Sequence, residues 1–141
     1  MFITTSESIT QTRTLAEQFL EESLHSNVIG LIGELGSGKT TFTQQVGKIL
    51  KVDRTITSPT FLIYKQYPIQ FKTFSQLIHA DLYRLKTIDE LKNTGLIELW
   101  EEASNLVLIE WADRLQEYLP KNTQYIQFKY LGENIREISF E

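Results

Sequence analysis

The chain has 141 residues, no cysteine and a formal net charge of -4, which excludes disulfide frameworks, thiolate metal sites and cysteine nucleophiles. An acidic chain is also a poor stand-alone binder of nucleic acid, because phosphate neutralisation takes clustered Lys and Arg. No apolar run approaches the roughly 18 residues of a membrane helix and residues 1–7 lack a basic or apolar signal stretch, so a cytoplasmic protein with one domain over residues 1–141 is expected.

Residues 10–24 carry Ala16, Phe19, Leu20 and Leu24 at helical spacing and predict a helix. Residues 28–32 are a short apolar run of the buried-strand type. A glycine-rich stretch follows, and then residues 39–50 present Phe42, Val46, Ile49 and Leu50 on one helical face. Ser58-Pro59-Thr60 is a loop signal. Residues 61–67 are rich in strand formers and stop at Pro68. Residues 71–79 read similarly, so the two segments are expected to pair as a hairpin. Two short helical pieces, 89–93 and 96–102, are broken at Gly95. Leu106-Val107-Leu108-Ile109 is the strongest buried-strand candidate and runs into Glu110-Trp111. Residues 112–119 read as a short helix stopped by Pro120. Residues 125–130 and 135–140 alternate in polarity around Gly132-Glu133-Asn134, the pattern of a C-terminal hairpin. Buried strands alternating with helices, followed by half-polar strands, predict an α/β domain of three layers with a mixed central sheet.

Residues 33–40 read Gly-Glu-Leu-Gly-Ser-Gly-Lys-Thr. Gly33, Gly38, Lys39 and Thr40 fill the four fixed positions of the P-loop pattern. At average residue usage those positions match by chance in roughly 0.5% of chains this long, and here a buried strand precedes them and an amphipathic helix follows. Glycines allow backbone amides to approach an anion closely, successive amides form a concave nest, and the next helix aims its positive end at the same point. The nucleotide-binding set is therefore expected to be Gly33, Leu35, Gly36, Ser37, Gly38, Lys39, Thr40 and Thr41. Within it, Lys39 would bridge the β- and γ-phosphates of ATP and the Thr40 hydroxyl would ligate Mg²⁺.

Such a site needs an acid near the metal, at the carboxyl end of a buried strand. Glu110 follows the stronger strand and is the preferred metal ligand. Asp81, at the end of the weaker run 77–80, is then left to orient or activate water, or to hold a water in the metal's outer shell. Thr60 either senses a γ-phosphate from a mobile loop or is part of a simple turn. The chemistry alone favours neither. His79 reads more readily as structural than catalytic, Arg84 and Arg114 more readily as surface ion pairs than phosphate ligands, and Trp111 as packing beside Glu110.

Four segments now stand in order: the stretch from Gly33 to Phe42, Ser58-Pro59-Thr60-Phe61, His79-Ala80-Asp81-Leu82-Tyr83-Arg84-Leu85, and Ile109-Glu110-Trp111. Together they resemble the bacterial tRNA threonylcarbamoyladenosine biosynthesis ATPases, the TsaE (YjeE) family, over residues 6–120. Glu34 and Ser37 stand where that family more often has Asp and Ala. The resemblance implies a small P-loop ATPase that works with TsaB and TsaD in N6-threonylcarbamoyl modification of tRNA adenosine 37; slow intrinsic hydrolysis is expected because no arginine finger is evident, and the acidic charge leaves contact with the tRNA mainly to the partners. The resemblance also implies Thr40 and Glu110 as Mg²⁺ ligands, Asp81 as required for hydrolysis, Thr60 as part of a switch-like loop, and Trp111 as a support for Glu110.

Three rivals differ in what they need. A small-molecule kinase needs an acceptor pocket and an Arg-bearing lid, and no long insertion supplies them. A GTPase normally carries Asn-Lys-x-Asp, which is absent from the sequence. A regulatory module that loads ATP with negligible turnover fits the sequence as well as a slow hydrolase does.

Overall fold

The computed structural model describes residues 1–59 and 62–141. In chain order its elements are β1 (Phe2–Ser6), α1 (Ile9–Gln18), β2 (Val28–Ile32), α2 (Lys39–Ile49), β3 (Tyr64–Phe71), β4 (Phe74–Asp81), α3 (Ile88–Thr94), α4 (Leu96–Glu101), β5 (Asn105–Glu110), β6 (Gln124–Gly132) and β7 (Ile135–Phe140). Among the described residues the strands form one sheet in the order β1-β7-β6-β2-β5-β4-β3. β2 lies parallel to β5 and β6, and β4 is parallel to β5. β3, β7 and β1 add antiparallel partners at the two sides. The expected mixed sheet and C-terminal hairpin are both present.

Side-chain alternation splits the core into two layers. Ile29, Leu31, Leu77, Leu106 and Leu108 face one way and pack with Leu15, Phe19, Phe42 and Val46 of the α1–α2 side. Val28, Ile78, Ala80, Val107 and Ile109 face the other way and meet Leu91, Leu96, Trp100 and Leu115. The central strands are apolar on both faces because both are covered, which is why β2 and β5 read as continuous hydrophobic runs. Edge-to-face contacts of Phe42 with Phe19 and Phe128 fasten α2 to α1 and to the sheet.

Several boundaries differ from the sequence expectation. The first helix stops being α-helical at Gln18 and finishes in a π turn over Phe19–Ser23. The strand expected to stop at Pro68 runs through it to Phe71. β3 is the edge of the sheet, where a residue without an N–H is tolerated, and its register shifts between Pro68 and Phe71. Phe71 thus belongs to β3, and the hairpin turns at Lys72, whose φ is +52°. The segment after Trp111 is a 3₁₀ helix, Ala112–Tyr118, irregular at Leu115. β1 has no counterpart in the sequence expectation.

The parallel register matters most for function. It sets Asp81 beside Glu110 and Leu31 on the other side of Glu110. β2, β4 and β5 therefore end together, with the glycine-rich loop following β2, at the edge where open α/β sheets bind ligands.

Candidate functional site

The loop between β2 and α2 is shaped by its glycines. Gly38 has a φ of +108° and caps α2 without any side-chain hydrogen bond, so the first amides of the helix point into the loop's concavity. A methyl group on Gly38 would stand 2.5 Å from Arg136 Nη1, and one on Gly33 would stand 2.6 Å from the Phe128 carbonyl oxygen. Lys39 is almost fully buried, at 4% exposure. Its ammonium donates to the carbonyls of Gly33 at 2.5 Å and Glu34 at 2.9 Å. It also lies 4.2 Å from the Trp111 ring centroid. Leu35 stands exposed on the loop's crest, Ser37 is buried, and Thr41 is half-buried in the first turn of α2.

Beside this loop the two acids arrive from their strand ends. Thr40 Oγ1 donates to Glu110 Oε1 at 2.8 Å. The other carboxylate oxygen, Oε2, lies 2.5 Å from His79 Nε2. Asp81, the register neighbour of Glu110, accepts from the Tyr83 N–H at 2.8 Å. The structure thus brings Lys39, Thr40, Glu110 and Asp81 to one place, with His79 behind them.

Trp111 turns the chain sharply after β5 in the left-handed conformation, φ +57°, a rare state for a bulky residue that is found mostly where function fixes the backbone. Its ring packs on Tyr83 at 4.9 Å, and the Arg114 guanidinium lies 4.9 Å from the Tyr83 ring centroid. Among the described residues Arg114 rests on aromatic faces and forms no ion pair. A cleft of 170 Å³ opens over Asp81 and Trp111, lined also by Leu35, Ser58, Pro59, Ile63, Tyr83 and Arg84. Thr60, expected in a switch-like loop, lies outside the described residues, although Ser58 and Pro59 reach the cleft.

The model of the threonylcarbamoyl adenosine biosynthesis protein TsaE matches residues 6–138. The chain belongs to the TsaE family. It is 35% identical to the TsaE protein of Bacillus subtilis strain 168 over 92% of this chain and 78% of that one. The Treponema pallidum TsaE protein is 32% identical, with 89% and 87% covered. Its fold is similar to the crystal structure of Bacillus subtilis YdiB, with a TM-score of 0.70 at 29% identity over 99% of this chain and 83% of that one.

Burial moves two charged groups of this TsaE-family site from their ordinary ranges. Burial pushes the Asp81 carboxyl above its ordinary range; the Tyr83 amide opposes the shift, and the neighbouring Glu110 carboxylate adds to it. Burial also lowers the Lys39 ammonium, while Glu110, Asp81 and Asp113 work against that shift. Each charge is thus short of solvation in its present setting. Among the described residues no three His, Cys, Asp or Glu side chains form a self-sufficient metal cage. Hydroxyl and carboxylate oxygens from Thr40 and Glu110 instead suit Mg²⁺, which takes one or two protein ligands and completes its shell with phosphate and water. The donor set and the glycine cradle fit an Mg²⁺·nucleotide.

Two residues at the site were not foreseen as part of it. Arg136 faces the cradle from β7, against Gly38. The signal was its spacing: Ile138 and Phe140 are buried at two-residue intervals after it, so an arginine occupies the core-facing register at a strand end. His79 was read as structural. It shares a face with Leu77 and Asp81 on β4, and it is completely buried.

Proposed function

We propose that the chain is a slow ATP·Mg²⁺-hydrolysing subunit that acts in the cytoplasm, with TsaB- and TsaD-type partners, in threonylcarbamoyladenosine formation on tRNA. The observation that carries the reading is the convergence of Lys39, Thr40 and Glu110 at the mouth of a glycine cradle. Family membership and the relatives' names supply the pathway.

In this reading the loop amides and Lys39 hold the β- and γ-phosphates, and Arg136 adds a second cation on the β7 side of the cradle. Mg²⁺, when bound, would neutralise phosphate charge, and Glu110 and Thr40 would hold it. Asp81, with a carboxyl made more basic by burial, orients or deprotonates the attacking water. Trp111 and Tyr83 wall the cleft and limit water around Lys39. Slow turnover is expected because no arginine finger is evident in the sequence, and Arg114 rests on the Tyr83 and Trp111 rings. A docked partner is then positioned to set the rate.

Reconstitution tests this directly. Purified partners and tRNA should accumulate the modified base over repeated turnovers only when this chain and ATP·Mg²⁺ are both added. GTP·Mg²⁺ should fail to substitute, and calorimetry should show it binding more weakly than ATP·Mg²⁺. Equal yield without the chain would refute the pathway role, and equal affinity for GTP would refute the adenine preference.

A further inference from the structure

We infer that His79 is a positioning residue for the metal site: it fixes the Glu110 carboxylate so that Glu110 and Thr40 together present one cation-binding geometry. The inference rests on the ATP·Mg²⁺ reading of the site. His79 is fully buried on β4, two residues before Asp81 and in register with Leu108 of β5. Leu108 and Glu110 share a face of β5, so the imidazole lies directly behind the Glu110 carboxylate. Its Nε2 is 2.5 Å from Glu110 Oε2. A carboxylate only accepts, so Nε2 carries the proton and donates. The opposite oxygen, Oε1, receives the Thr40 hydroxyl. Each carboxylate oxygen is therefore held by one donor, and the plane of the group is fixed from both sides.

The other ring nitrogen separates this role from plain packing. His79 Nδ1 is buried and has no hydrogen-bond partner among the described residues. An unsatisfied buried acceptor is a cost that an apolar side chain would avoid. Its same-face neighbour Leu77 and its register partner Leu108 are both buried in the apolar cluster. The single hydrogen bond to Glu110 is the compensation. A donor behind a metal-binding carboxylate sets the orientation and electron density of the ligand, and its loss commonly weakens metal binding by about 10–100-fold.

A pair of polar substitutions isolates reach from burial. In His79→Gln the side-chain amide N–H extends to the place of Nε2. In His79→Asn it stops near the place of Nδ1 and does not reach Glu110. ATP binding is measured by calorimetry on the full chain, with Mg²⁺ and with EDTA, alongside thermal unfolding. The expected result for His79→Asn is a loss of about 10–100-fold in the Mg²⁺-dependent gain in ATP affinity, with metal-free affinity unchanged. His79→Gln should retain most of the gain. In a Glu110→Gln background, His79→Asn should cost the metal response nothing further. Equal behaviour of the Asn and Gln variants, or full additivity with Glu110→Gln, would overturn the positioning role while leaving the ATP·Mg²⁺ reading intact. A wild-type chain that binds no ATP·Mg²⁺ would overturn both.

Discussion

Lys39→Ala is expected to abolish nucleotide-dependent function while leaving the fold in place. The ammonium is seated inside the glycine loop, held by carbonyls of Gly33 and Glu34. Truncating one member of a buried, hydrogen-bonded charge pair costs about 2–5 kcal/mol. At the lower end of that range ATP affinity falls by more than ten-fold, and at the upper end by more than a thousand-fold. Removing Lys39 also exposes two loop carbonyls to the phosphates, which adds repulsion to the loss. The decisive measurement is the reconstituted tRNA-modification assay, with circular dichroism to establish that the variant is folded. A folded Lys39→Ala chain that still supports modification would disprove the central claim about this loop.

Replacing each acid separately should divide their labour. Glu110→Gln removes the charge that meets Thr40, so it should reduce the Mg²⁺-dependent part of ATP binding more than Asp81→Asn does. Asp81→Asn should leave binding near its original strength and lower turnover by about 10²–10⁴-fold, the usual contribution of a positioned general base. The two substitutions sit side by side in the β4–β5 register, so a double variant is expected to be non-additive. Calorimetry with and without Mg²⁺ gives the first comparison, and single-turnover hydrolysis gives the second. If Asp81→Asn proved the more damaging to Mg²⁺-dependent binding, the two acids would exchange roles.

The parts of this molecule that were legible in its sequence are those where local chemistry leaves few alternatives. A run such as Leu106-Val107-Leu108-Ile109 has to be covered on both faces, and the acid that follows it has to emerge at a strand tip. The loop from Gly33 to Thr40 needs residues without a Cβ where φ is positive or where Phe128 and Arg136 press close. What stayed hidden depends on partners far along the chain. β1 is a strand because β7 pairs with it from the far end of the chain, Phe2 with Phe140 and Ser6 with Arg136. Pro68 stands inside a strand only because β3 forms the sheet's edge. The 3₁₀ geometry after Trp111 follows from a left-handed residue that no period announces. His79 and Arg136 were hidden for a related reason. Each looks like an ordinary polar residue until the register shows it on a core-facing position aimed at Glu110 or Gly38. The Thr60 expectation cannot be set beside them, since it falls outside the described residues.

The chain's two tryptophans divide between opposite surroundings. Trp100 is buried in the α4 side of the core. Trp111 carries the Lys39 ammonium 4.2 Å from its ring, so its excited state feels a full positive charge at contact range. Anything that draws that ammonium off the indole alters the emission of one tryptophan against the steady background of the other. Titration with ATP·Mg²⁺ is therefore expected to change the Trp111 emission if the nucleotide takes up the Lys39 ammonium. The same signal would make nucleotide loading measurable by stopped flow on the unlabelled chain.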